Sequence, residues 1–174
     1  PELATYLDIF ASPQIKNIAT VIGNIANASP IGDMPPALLA LNASIHMISK
    51  AGKRVIPLHD YFLDYKKTAL QKNEIITHVS FELPQKDFFK TFKNSNRKDL
   101  DISTVNFCMY ISKDEKIYRI AAGGIAAIPL RLKKTESFLQ NNELNSQTVH
   151  QAIDILHSEF TPLSDVRASS AYRH

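Results

Sequence analysis

Between Thr20 and Leu41 the chain reads TVIGNIANASPIGDMPPALLAL, and the order of residue types there leaves little freedom. A short β-prone run gives way to small polar residues, then to an acid, two prolines and an unbroken apolar run. Gly23 permits a backbone conformation, or a closeness of approach, that a side chain forbids. Asn24, Asn27 and Ser29 are short enough to bond their own backbone or a bound molecule. Asp33 ahead of Pro35, Pro36 and the apolar run 37–41 predicts a helix start, with the carboxylate at the N-cap and proline in the first turn. By residue type alone this is a ligand-accessible loop before a helix.

The surrounding chain alternates between periods. Leu3, Tyr6, Leu7 and Phe10 fall three and four apart, one helical face turned to a core beneath that loop. Ile45, Met47 and the run 55–58 flank Lys50-Ala51-Gly52-Lys53, which reads as a hairpin. Residues 75–83 alternate as a strand and stop at Pro84, which cannot continue a ladder. A domain boundary is therefore expected near Gln85. Beyond it, residues 88–93 form a short strand ending in Lys93, and a charged link covers 94–101. Val105, Phe107, Met109 and Ile111 alternate with Asn106, Cys108 and Tyr110; the turn falls at 113–116, and 117–128 returns as the partner strand carrying Gly123-Gly124. The period then becomes helical: a short helix at 135–139, a longer one with the stripe Val149, Ala152, Ile153, Leu156 and Phe160, and a third beginning at Ser164-Asp165. The fold class is α+β, a first subdomain followed by a three-stranded antiparallel sheet and a C-terminal helical bundle.

With 174 residues, 44% of them hydrophobic, the chain holds one medium domain or two small ones with buried cores. The lone cysteine, Cys108, excludes an internal disulfide and a cysteine-ligated iron–sulphur cluster in this chain, and alternation makes it a packing residue. A reducing, cytoplasmic setting fits this cysteine usage. No apolar run approaches a membrane span and nothing at the start reads as a signal peptide. The opening Pro1-Glu2-Leu3 lacks a methionine, as expected of a chain that begins inside a longer protein. The formal charge of +3 arises entirely after Gln85, and without interleaved aromatic residues it describes a solvated face, not a nucleic-acid site. His150, Asp154 and His157 share a helical face, but that spacing also suits a solvated histidine–carboxylate pair, so no metal site is assigned.

Several of these segments together resemble the FAD-binding subunit, or FAD domain, of xanthine dehydrogenase and the other molybdenum hydroxylases. Gly23, Asn24, Ile25, the run 27–30, Asp33, Pro36 and Ala37 match that family's second flavin-binding stretch. Asp60-Tyr61-Phe62, Tyr65, Lys67-Thr68 and Glu74-Ile75-Ile76 match the segment before a short strand. Gly123-Gly124, residues 126–129, Thr135-Glu136, residues 162–167 and Ala171-Tyr172-Arg173 match its carboxyl-terminal flavoprotein domain. The resemblance runs from about Ile18 to Arg173, with Ile22 standing where the family usually has a second glycine. It implies a division into residues 1–85, the second part of an FAD-binding domain, and 86–174, a truncated domain like the flavoprotein C-terminal domain of carbon monoxide dehydrogenase.

The resemblance also implies a site. Thr20, Val21, Ile22, Gly23 and Asn24 would line the flavin's diphosphate and sugar, with Asn27, Ser29 and Asp33 completing the polar set. Ile76 would stand against the isoalloxazine ring, Lys93 would lie near it, and residues 94–101 would border the path of an electron acceptor. No side chain need act as a catalytic acid or base. The implied role is electron relay from iron–sulphur clusters through FAD to NAD during purine hydroxylation, with molybdenum cofactor and clusters held on other domains or subunits of a cytoplasmic hetero-oligomer. A first glycine-rich flavin loop lies upstream in this family and is absent from these residues. Taken without the family, the same residues are an ordinary tight loop, a helix cap at Asp33, a core strand residue at Ile76 and a surface cation at Lys93. Two other functions fit the sequence: the flavin subunit of an aldehyde or carbon monoxide dehydrogenase, and an assembly module that has lost flavin.

Overall fold

The apolar run after Asp33 becomes the structural centre of the molecule. In a computed structural model, which describes residues 2–83, 87–98, 100–162 and 164–174, all seven residues of a helix at Met34–Ala40 are buried. A helix apolar on every side is stable only when surrounded. Its prolines sit in the first turn, where their missing N–H is no loss. Asn42 ends it in the left-handed conformation (φ 54°), and the Ala43 N–H returns to the Leu38 carbonyl at 2.9 Å. Three short helices precede it, Glu2–Asp8 (α1), Pro13–Lys16 (α2) and Val21–Ala26 (α3), making the central helix α4.

One side of α4 faces a small sheet. Strands Ser44–Ser49 (β1) and Gly52–Pro57 (β2) form the expected hairpin, a two-stranded ribbon of Phe62–Asp64 (β3) and Lys67–Thr68 (β4) follows, and Ile75–Ser80 (β5) pairs with the free edge of β1. Alternation buries Ile45, Met47 and Ile76 in one cluster with α4 and with Tyr6 of α1. The strand expected over 75–83 ends at Ser80, because Ser80 pairs with Ser44, the first residue of β1, and no partner extends further. Pro84 and the boundary expected at Gln85 fall outside the described residues.

The other side of α4 faces the larger sheet, Phe88–Ser95 (β6), Ser103–Ser112 (β7), Ile117–Gly123 (β8) and Leu130–Arg131 (β9), all antiparallel in that order. The three long strands are those expected from alternation. The fourth, two residues long, arises because β8 stops at Gly123: Gly124 turns at φ 83° and the chain returns to pair Arg131 with Ala121. Both faces of this sheet are covered. Asn106 and Cys108 face α4 and are fully buried, whereas Val105, Phe107 and Met109 are half-buried towards two C-terminal helices, Lys133–Asn141 (α5) and Ser146–Ser158 (α6).

Helix α6 begins at a capping box made by Asn145 and Thr148, and its successor Glu159 turns back to accept the Thr135 N–H of α5 at 2.7 Å. On α6, Ala152 is buried but Val149 and Ile153 stay 40% and 45% exposed, so only part of the expected stripe packs. The third helix does not begin at Ser164-Asp165. Asp165 instead accepts the N–H groups of Arg167 and Ala168, closing a turn, and the last helix, Ser170–Arg173 (α7), starts from a cap at Ser169.

Candidate functional site

The residues expected to line a ligand do not form a β-prone run and a turn. Thr20 is instead the N-cap of α3, its Oγ1 accepting the Gly23 N–H at 2.8 Å. The cap outweighs the β preference of Thr20, Val21 and Ile22 because it satisfies a helix-end donor. Thr20, Val21 and Ile22 then present backbone N–H groups that have no carbonyl one turn back. Ile22 lies within the helix, partly buried against the main core, and a helical backbone needs no glycine there. A Cβ on Gly23 would lie 3.0 Å from Thr20 Oγ1, so a side chain at 23 presses on the cap.

Asn24, one residue on, reaches forward from α3: its Oδ1 accepts the Met34 N–H at the start of α4 (3.3 Å). That frees Asp33 from capping. Although it occupies the N-cap position, Asp33 is helical in backbone and makes no capping bond. Its carboxylate turns into the protein, where Oδ2 accepts Lys93 Nζ at 2.9 Å and Oδ1 accepts the Ser103 hydroxyl and, at 3.4 Å, Asn106 Nδ2. Lys93 also donates to the Ile9 carbonyl at 3.3 Å. The two side chains of the pair are only 8% and 5% exposed, so Lys93 is not the surface cation its sequence context suggests. Buried charges of this kind persist only when paired and hydrogen-bonded.

Tyr6 and Asn106 complete the cluster. The Tyr6 hydroxyl donates to the Asp33 carbonyl at 3.1 Å, and Asn106 Nδ2 donates to the Gly32 carbonyl at 3.0 Å. Burial drives the Tyr6 phenol far above its ordinary pKa, with Cys108 and Asp33 adding to it, so it stays a neutral donor. Burial does the same to Cys108. Asn106 Oδ1 faces the bare Cα of Gly123, where a Cβ would stand 2.2 Å from it. Sequence reading missed Tyr6, Ser103 and Asn106. The available signal was a polar residue, Asn106, on a strand face shared with the buried Cys108.

A cavity of about 230 Å³ has walls that include Leu7, Phe10, Lys16, Thr20, Val21, Asn24 and Met34; Leu7 and Met34 are chain neighbours of Tyr6 and Asp33, but neither Asp33 nor Lys93 lines it. It is smaller than the roughly 300–1,000 Å³ of a complete small-molecule pocket, so it suits one portion of a large ligand. Asn27 and Ser29 lie apart from the cavity wall. Lys66 Nζ donates to both Asn27 oxygens at 2.9 Å, and the Ser29 carbonyl accepts the Gly32 N–H. Ile76 is 9% exposed in the core between β1 and α3. A larger depression of about 460 Å³ lies at the far end of β7, around Lys113, Lys116 and the end of α5, and is lined by none of the expected site residues.

The chain 94–101 is drawn in at both ends. Arg97 pairs with Asp101, and Asn96 Nδ2 donates to the Arg167 carbonyl at 3.5 Å; Asp99 falls outside the described residues. His150 bonds the Ser146 carbonyl and His157 bonds His174. Among the described residues no group of three or more His, Cys, Asp or Glu could hold a metal ion, and no helix is long and apolar enough to cross a membrane.

Comparison with known proteins accounts for nearly the whole chain. Residues 1–86 match the FAD binding domain in molybdopterin dehydrogenase, and residues 90–174 match the CO dehydrogenase flavoprotein C-terminal domain. The chain is 35% identical to a xanthine dehydrogenase of Blastobotrys adeninivorans over 96% of its length and 13% of that protein's. It is 34% identical to the glyceraldehyde dehydrogenase medium chain of Sulfolobus acidocaldarius, covering 92% of this chain and 58% of that one. A carbon monoxide dehydrogenase structure from Hydrogenophaga pseudoflava superposes with a TM-score of 0.91 at 26% identity, over 99% of this chain and 61% of that one. The chain thus spans about an eighth of the long relatives and about three fifths of the separate subunits. Two domain matches, relatives in both long and short enzymes, and one shared fold establish that the chain belongs to the FAD-binding flavoproteins of the molybdenum hydroxylase family.

Proposed function

We propose that this chain is the FAD-holding part of a xanthine dehydrogenase-type enzyme, in which bound FAD takes electrons from iron–sulphur clusters and passes them to NAD while purines are hydroxylated at a molybdenum centre. The observation that carries the reading is the convergence of Thr20, Val21 and Asn24 on one cavity, whose wall residue Met34 follows the buried Asp33 directly in the chain. The donor chemistry fits the cofactor. Backbone N–H groups at the start of α3 suit phosphate oxygens without ordering long side chains, and Lys16 at the rim adds positive charge. Leu7, Phe10, Val21 and Met34 supply apolar walls that exclude water. Lys93 brings a fixed positive charge to the place where a reduced cofactor gains negative charge.

The xanthine type is favoured by the run Asn27-Ala28-Ser29-Pro30 and by 35% identity to a xanthine dehydrogenase along almost the whole chain. On this reading residues 1–85 and 86–174 are the two flavoprotein domains, their partners are the molybdenum and iron–sulphur domains or subunits, and the setting is cytoplasmic. No side chain of the chain handles a proton in the reaction; its residues bind, orient and shield.

The absorption spectrum of the full-length protein tests this. The two long-wavelength bands of oxidised flavin are expected, together with their loss in Asp33→Ala and Gly23→Val. A folded but colourless full-length protein that takes up no added FAD overturns the reading.

A further inference from the structure

We propose that Ser103 and Asn106 are positioning residues for the flavin, acting through Asp33 to hold the Lys93 ammonium at the cofactor. The inference rests on the flavin reading above and concerns residues on β7 that do not line the cavity.

The arrangement is asymmetric. Asp33 Oδ1 is occupied from β7 by Ser103 and Asn106, and Oδ2 is occupied from β6 by Lys93. Ser103 and Asn106 are 0% and 1% exposed, so bulk water does not compete for these donors. With donors on both oxygens, the carboxylate is engaged within the protein and acts on a ligand through Lys93. An ammonium carries three donors. Among the described residues, two go to Asp33 and the Ile9 carbonyl, and one remains for a ligand.

The consequence is electrostatic. Each hydrogen bond to Oδ1 draws negative charge away from Oδ2, which leaves more of the lysine's field uncancelled. Asn106 is in turn fixed by the Gly32 carbonyl and by the bare Gly123. Removing the Ser103 hydroxyl concentrates charge on Asp33, draws Lys93 more tightly to it and weakens the stabilisation of reduced flavin relative to oxidised.

The test is a spectral redox titration of the flavin in the full-length, assembled protein carrying Ser103→Ala, Ser103→Thr or Ser103→Cys, alongside FAD affinity and thermal stability. Ser103→Ala is expected to lower the preference for reduced over oxidised flavin about tenfold, the scale of one hydrogen bond to a charged group, and Ser103→Thr to restore it. Should Ser103→Ala fail to fold, the weak thiol donor of Ser103→Cys is expected to give a smaller shift in the same direction. A wild-type midpoint potential in whichever of these two variants folds, whatever its stability, overturns the inference while leaving the flavin reading intact. Wild-type protein that takes up no FAD overturns both.

Discussion

Arg173 and Asp165 are joined by two hydrogen bonds of 2.7 Å, from one guanidinium nitrogen to both carboxylate oxygens. The other terminal nitrogen, Nη1, donates to the carbonyls of Thr104 (3.0 Å) and Gly124 (2.6 Å), while the Gly124 N–H donates to the Pro30 carbonyl at 2.7 Å. A continuous polar path thus runs from the last helix to the loop before Asp33. The arginine side chain is 3% exposed and the aspartate 46%, so the two ends of the pair differ in what their loss costs. Arg173→Leu strands two buried carbonyls and is expected to destabilise by about 3 kcal/mol; Asp165→Asn, partly rescued by water, by about 1 kcal/mol. Urea unfolding at unchanged slope measures both, and equal costs would contradict the account.

Acid sensitivity has a separate source in the first subdomain. The Glu74 carboxyl is held down at about 2, chiefly by the Arg54 side chain and then by the Gln71 N–H. Arg54 meets it with two bonds, 2.7 and 2.6 Å. Because the folded value lies below the unfolded one, the group's stabilisation is complete above about pH 4.5 and is lost as pH falls towards 2. Glu74→Gln is therefore expected to flatten part of the decline in melting temperature over that window and to leave the neutral-pH slope unchanged. Asp165, Asp101 and Glu2 are shifted in the same direction, so part of the decline persists in the variant. A variant that follows the wild-type profile throughout that window would show that the pair does not contribute.

The particular residues show why some of this was legible in the sequence and some was not. The hairpin at Lys50-Ala51, the long strands and α4 follow from periodicity and turn chemistry, which are local. The start of α4 was also legible, but the use of Asp33 was not: Asn24 takes over the capping, and the carboxylate turns to a lysine sixty residues away. Composition around Lys93 is that of an exposed strand end, and only the packing of β6 against α1 buries it. Thr20, Val21 and Ile22 misled for the opposite reason, since a β-branched run was overruled by a single hydroxyl cap. That Thr20, Val21 and Ile22 would face a phosphate is an expectation from family likeness alone; their helical form is what the structure adds.

Close approach at Gly123 makes a sharp prediction. A Cβ there would collide with Asn106 Oδ1 at 2.2 Å and stand 3.0 Å from the Pro30 carbonyl, with Pro36 next to it. Neither the backbone nor the locked amide can retreat cheaply, so Gly123→Ala is expected to cost about 2–3 kcal/mol. Combining it with Asn106→Ala relieves the first collision but not the second, so the double variant recovers stability only partly. Additive losses measured by thermal and chemical unfolding would mean that the two groups do not meet.

Asp33 and Lys93 supply the test of whether the buried pair is a stabilising element or only a tolerated one. Each charge is enclosed, and removing one leaves the other without its counterion in a nearly dry environment; Lys93→Met is expected to cost about 3–5 kcal/mol. The double variant Asp33→Asn with Lys93→Met removes both charges and leaves the Ser103 and Asn106 donors a neutral amide oxygen to bond. It is expected to recover at least half of that loss, because the desolvation penalty disappears with the charges. Stability and cofactor binding should then separate: the double variant folds close to wild type yet holds FAD more weakly, having lost the buried cation of the pair while Lys16 stays in the cavity wall. Chemical unfolding paired with FAD titration of the same samples reads both quantities. Full recovery of FAD affinity together with stability would place Lys93 in the scaffold alone and remove it from the flavin site.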